Sequence, residues 1–312
     1  MEILKLISPL KETIWGGTKL ATDYGKQGAG NIGESWELCC NPEGNNVIAN
    51  GADKGKTLRE YIGTHGRGVI GVRWAGGQFP MLVKLIDAHD NLSIKVNPDD
   101  TYALAHEKAP GRTELWYVAE ANQGSHIILG LKSQVKTPQF SQIIKDGVMP
   151  MYLNRIPVQK GDTFFIEPGM VHSIGAGVVM LVIQQNSNTS YRIYDYNRDD
   201  KNGEKRHLDV EKALDVADLS LKPDKRTYHP EHSKEFSETL LASCRYFTVK
   251  KQAVNVYMTQ IAGKSSFHAL TLLTGSGQIG TIQLKKGDSV YIPADFGEYT
   301  FEGEADIIST TM

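Results

Sequence analysis

Lys160-Gly161-Asp162-Thr163-Phe164-Phe165-Ile166 is the stretch that decides the fold, because it returns 126 positions later as Lys286-Gly287-Asp288-Ser289-Val290-Tyr291-Ile292. Both copies lead into a proline, Pro168 and Pro293. Gly-Asp supplies a tight turn, and the alternating aromatic and β-branched residues after it build a strand with one face in a core. The repeat therefore predicts two related β-domains.

Other short β-rich runs follow the same rhythm: Phe79 to Ile86, Ser93 to Val96, Glu114 to Val118, His126 to Leu129 and Val178 to Gln184, parted by Gly, Asn, Asp and Pro clusters. That spacing predicts an all-β sandwich or barrel. Helical patterning is confined to Leu58–Ile62, Thr101–Lys108, Thr137–Leu153 and Leu208–Ala217, as decorations on the first domain. Between the two copies, residues 217–236 are polar and charged, carry Pro223 and Pro230, and read as a linker. The expected division is 1–230 and 231–312.

The chain has 312 residues, enough for two domains that each bury a core. Charge is balanced, 34 basic against 36 acidic residues, with no basic cluster interleaved with aromatics, so a small molecule rather than nucleic acid is the expected ligand. No apolar run approaches the roughly 20 residues that span a bilayer, and Met1 to Leu10 has no signal-peptide core, so no membrane partner and a cytoplasmic location are expected. Cys39, Cys40 and Cys244 read as reduced thiols. Composition leaves monomer and homodimer equally open.

The first copy continues as Pro168-Gly169-Met170-Val171-His172, with the histidine 11 residues after Gly161. This is similar to the second half of the cupin signature, in which that histidine binds metal inside a jelly-roll barrel. In the second copy the same offset falls on Glu298, and His268 stands without companion ligands, so the second cupin-like domain is expected to lack a metal site. Upstream, Ser93, Lys95 and Asn97 alternate with Ile94 and Val96 and face the other side of their strand. Glu114 opens an apolar strand. His172, Glu114 and an inward Asn97 together make a plausible N/O/O metal set.

These segments, with Ile14-Trp15-Gly16-Gly17, Gly33-Glu34-Ser35-Trp36-Glu37, Phe79 to Asp87, Arg112-Thr113-Glu114 and Gln184 to Tyr196, resemble the short bacterial form of the mannose-6-phosphate isomerase family over essentially the whole chain. The resemblance implies two cupin-type jelly-roll barrels and a zinc-dependent aldose-ketose isomerase that interconverts mannose 6-phosphate and fructose 6-phosphate through an enediol. It implies metal ligands at Glu114 and His172, a catalytic arginine at Arg192, and sugar-phosphate contacts from Lys84, Lys95 and Arg112.

Three positions depart from the family pattern. Asn97 stands where a ligand histidine is expected, Lys95 where long forms carry a glutamine ligand, and Arg112 where many relatives have lysine. An amide oxygen is a weaker and harder ligand than imidazole, so manganese or cobalt becomes competitive with zinc, and His89 and His106 are the nearest histidines that could substitute. Two function classes stay open on the residues: an active isomerase, and a metal-poor cupin that binds a sugar phosphate without turning it over.

Overall fold

The computed structural model describes residues 1–132, 135–200, 202–224 and 228–312, and its secondary structure is mostly strand. Lys225, Arg226 and Thr227 of the expected linker lie outside the described residues. The first half is a sandwich of two antiparallel sheets. One has five strands in the order Leu153–Pro157, His126–Leu131, His172–Ile174, Ile94–Val96, Tyr191–Tyr194. The other has six: Thr163–Ile166, Glu114–Ala121, Val178–Gln185, Met81–Ala88, Leu10–Gly17, Ile32–Leu38. The class is all-β as expected, but the sheets pack face to face and do not close into hydrogen-bonded barrels.

The six-stranded sheet is covered on both faces, which is why Val178–Gln185 is buried at every position. Its inner face packs Trp116, Val118, Met180 and Val182 against Leu129 and Ile174 of the smaller sheet. Its outer face, with Leu115, Tyr117, Leu181 and Ile183, packs against Phe247, Phe267, Tyr291 and Ile308 of the second half. Period-two alternation thus serves two cores at once.

In the second half the strands Phe236–Ser243, Thr248–Val254, Gly297–Thr311, His268–Leu272 and Ser289–Ile292 lie side by side, and the N-terminal strand Leu4–Ile7 then pairs with Ser289–Ile292. The start of the chain therefore belongs to the sheet of its end. Both copies of the repeat form the expected turn and strand, with Gly161 at φ +93 and Gly287 at φ +88, a conformation that favours glycine.

Helices cover Leu58–His65, Asp100–His106, Thr137–Lys145 and Val210–Val216. The helix expected to run to Leu153 stops at Lys145, because Gly147 turns left-handed at φ +69, and Leu153 opens an edge strand instead. Among the described residues no helix is long and apolar enough to cross a membrane.

Candidate active site

The interior of the first sandwich is apolar along most of its length and polar at one end. In the five-stranded sheet, Leu129, His172, Lys95 and Arg192 stand opposite one another across four adjacent strands. Residues directly opposed in a sheet project from the same face, so these three polar side chains share one face with the core residue Leu129. In the six-stranded sheet the corresponding rows are Ile166, Glu114, Gln184, Leu82 and, one step in, Phe164, Trp116, Val182, Lys84, Trp36.

Glu114 is the hub. Its Oε1 accepts from Asn97 Nδ2 at 2.7 Å and its Oε2 from Trp116 Nε1 at 2.6 Å. Arg112 Nε lies 2.6 Å from Oε1 as an ion pair, without the alignment of a hydrogen bond. Burial alone would raise the carboxyl, but Arg112 foremost, then His172, Trp116 and Asn97, outweigh it and hold the pKa at about 2. Glu114 is therefore an anion at any working pH.

His172 donates through Nδ1 to the Met170 carbonyl at 2.8 Å, and its ring meets the Trp116 indole edge-on at 5.6 Å between centroids. With Nδ1 carrying the proton, Nε2 keeps its lone pair. Burial, only partly opposed by Glu114, pushes the ring down to about 4, so it is neutral. Asn97 is fully buried, and with Nδ2 given to Glu114 its Oδ1 has no partner in the protein. A buried acceptor left unpaired is costly.

One carboxylate, one imidazole lone pair and one orphaned amide oxygen fit a divalent cation, which would satisfy Asn97 Oδ1 and offset the Glu114 charge. Among the described residues no three His, Cys, Asp or Glu side chains form a cluster that could hold a metal. His89 and His106 do not substitute: both are exposed, and His106 stacks on Tyr102.

Cations surround this set. Lys95 is driven down to about 8 by burial and by the neighbouring Arg112. Lys84, expected as a sugar-phosphate contact, is buried, 3.2 Å from Glu34, stacked 4.8 Å over Trp36, and donates to Asn188 Oδ1 at 3.3 Å. Burial depresses its pKa despite Glu34. Arg192 is half-buried, and its Nε donates to Ser93 Oγ at 3.1 Å and its Nη1 to the His207 carbonyl at 2.9 Å. Beside Lys84, Asn188 also lines a polar cavity of about 390 Å³ with Ser187, Ser190, Tyr191 and Lys212.

The sequence reading did not single out Glu34, Trp36, Gln184 or Asn188 as parts of the site. All four lie in segments that carry the resemblance, Gly33 to Glu37 and Gln184 to Tyr196; a local signal was alternation, since Glu34 and Trp36 are two apart on one strand and Trp36 Nε1 donates to Glu34 at 2.7 Å. The Gln184–Ser187 segment does mainly scaffolding. Asn186 donates to the Cys40 and Phe79 carbonyls, and Ser187 to that of Pro110.

Residues 3–128 match the family model for the phosphomannose isomerase type I catalytic domain, and residues 237–312 match the mannose-6-phosphate isomerase cupin domain. The chain is 36% identical to mannose-6-phosphate isomerase ManA of Bacillus subtilis, over 96% of this chain and 95% of that protein. The chain belongs to the mannose-6-phosphate isomerase family. A relative from Streptococcus mutans, also named mannose-6-phosphate isomerase, is 37% identical over 99% of this chain and 98% of its own length. The crystal structure of the Bacillus subtilis mannose 6-phosphate isomerase superimposes with a TM-score of 0.93 at 32% identity, covering 100% of both chains. A phosphomannose isomerase from Salmonella typhimurium, at 15% identity and TM-score 0.81, shares the fold.

Proposed function

We propose that this protein interconverts mannose 6-phosphate and fructose 6-phosphate through an enediol, with a divalent ion held by Asn97, Glu114 and His172. The observation that carries the reading is the meeting, at one polar end of an apolar sandwich, of an orphaned Asn97 oxygen, an anionic Glu114 and a neutral His172 within a cationic surround. When bound, the ion supplies Lewis-acid polarisation of the sugar's carbonyl oxygen. Zinc is the expected metal, with manganese or cobalt competitive because an amide oxygen replaces an imidazole.

The chain's own residues have separate tasks in this reading. Trp116 and Asn97 fix the Glu114 carboxylate, and Met170 fixes the His172 tautomer. Arg192, aligned by Ser93 and the His207 carbonyl, stabilises negative charge developing on the sugar oxygens. Lys84, Lys95 and Arg112 hold the sugar phosphate, and the buried surround keeps bulk water from the enediol. A cytoplasmic location suits such a substrate.

A coupled assay for fructose 6-phosphate formed from mannose 6-phosphate, run after chelation and again with zinc, manganese or cobalt, tests the proposal. Turnover restored by metal is expected. No turnover with any metal, in folded protein, overturns it. One observation favours the second reading, a sugar-phosphate binder without turnover: Glu114 Oε1 already has an ion-pair partner in Arg112 and a donor in Asn97 without a metal. Saturable mannose 6-phosphate binding by calorimetry with no turnover would select it.

A further inference from the structure

We infer that Tyr246, in the second half of the chain, is a positioning residue for Arg112, so that the half without a metal site helps to shape the site in the other. The inference rests on the isomerase reading for its kinetic arm only. Residues 111–113 form the short segment that presents Arg112 and leads into Glu114, and each of its three backbone N–H groups is held. Gly111 N donates to Asp100 Oδ1 at 2.9 Å, Arg112 N to the Pro98 carbonyl at 3.0 Å, and Thr113 N to Gln185 Oε1 at 2.9 Å.

Two of these three contacts end on side chains that hold each other. Gln185 Nε2 donates to the same Asp100 Oδ1 at 2.9 Å, so Asp100 and Gln185 form one clamp around the segment. The other oxygen of Asp100 accepts from Tyr246 Oη at 2.8 Å. Tyr246 lies in the turn between the strands Phe236–Ser243 and Thr248–Val254, next to Phe247, which is fully buried against the outer face of the six-stranded sheet. The phenol is thus fixed by the packed interface between the halves and reaches a carboxylate that fixes the Arg112 backbone.

A carboxylate with three donors across its two oxygens is held in one orientation; without the phenol, Oδ2 loses its charge-assisted partner and the Asp100 side chain can rotate about the two donors left on Oδ1. Rotation would release Gly111 and Gln185 together. The guanidinium of Arg112, already off the ideal line to Glu114, would then move. A role confined to joining the halves predicts a different result, with stability falling and Arg112 untouched.

The test uses full-length, metal-loaded protein and the variants Tyr246→Phe, Arg112→Lys and their double. Tyr246→Phe is expected to lower kcat/KM for mannose 6-phosphate by roughly 3- to 10-fold, the scale of one ordinary hydrogen bond and less than a full bond to a charge because the effect reaches Arg112 indirectly, and to have no further effect in the Arg112→Lys background. Equal losses in both backgrounds overturn the inference. A second arm needs no turnover: in ¹⁵N-arginine-labelled protein, the Arg112 Nε–H signal, assigned by its loss in Arg112→Lys, should shift or broaden in Tyr246→Phe. An unmoved signal overturns the inference, and a wild type without isomerase activity leaves this arm to decide it. Should Tyr246→Phe fail to fold, Asp100→Asn weakens the same clamp from the first half and is read the same way.

Discussion

The amide of Asn97 faces two ways, one end donating to Glu114 and the other left without a donor. A flipped amide would set an oxygen against the carboxylate and bury an unpaired N–H, so the arrangement is determined by charge. Asn97→His would replace a weak oxygen ligand with imidazole, and zinc affinity measured by chelator competition should rise on the order of tenfold, with faster turnover. Unchanged values for both would remove Asn97 from the metal. Lys95 makes a second prediction at this scale. Its ammonium is depressed to about 8, so it is a cation below that pH and loses its charge as pH rises through it. The KM for mannose 6-phosphate should therefore climb above pH 8, and Lys95→Gln should raise KM at pH 7 and flatten that climb. A KM that stays level to pH 9 in the wild type would show that Lys95 does not hold the phosphate.

At the scale of elements, the site is a product of register. The alternation of Ser93, Lys95 and Asn97 was legible in the sequence, and so was the turn-strand-histidine arrangement ending at His172. What brings Lys95 level with both His172 and Arg192 is pairing between strands about 80 and 100 residues apart, which no local pattern encodes. For the same reason the surroundings of Lys84, expected as a sugar-phosphate contact, were not legible: a lone lysine in an apolar strand gives no hint of the Glu34 and Trp36 that face it from the next strand. The helix expected over Thr101–Lys108 forms over Asp100–His106. Asp99 accepts from Tyr102 N at 2.8 Å and starts the helix that presents Asp100. Packing of that helix start against the Arg112 segment was not legible, because it depends on Gly111 having no side chain. A Cβ there would run into the backbone of Asp99 and Asp100. Gly111→Ala should cost about 1–3 kcal/mol in urea denaturation, as overpacking against backbone does, and lower kcat/KM more than a distant substitution of equal cost. A variant with wild-type stability would show that the contact relaxes freely.

Over the whole molecule, the repeat announces two halves, but the halves are not separate. The strand Leu4–Ile7 extends the C-terminal sheet, the six-stranded sheet gives its outer face to the second half's aromatics, and one carboxylate joins them at the centre. Glu37, fully buried, accepts from Ser35 Oγ at 2.6 Å, from Ser8 Oγ at 3.0 Å and from Ser289 Oγ of the second half at 2.7 Å, and pairs with Lys26 Nζ at 2.7 Å. Lys26 in turn donates to the Gly287 carbonyl at 2.6 Å, inside the second copy of the repeat. Removing a buried charge leaves its partner uncompensated, which costs more than the pair itself contributes. Glu37→Ala should therefore lower unfolding free energy by about 3–5 kcal/mol, whereas Ser289→Ala, which removes one donor of several, should cost about 1–2 kcal/mol. Because the carboxylate ties both cores, the loss should appear as an earlier midpoint of one shared transition, followed by tryptophan fluorescence for the first half and by hydrogen exchange of Ser289–Ile292 for the second. Two separated transitions in the wild type, or a Glu37→Ala cost below about 1 kcal/mol, would show that the halves stand independently and that the pair is peripheral to their union.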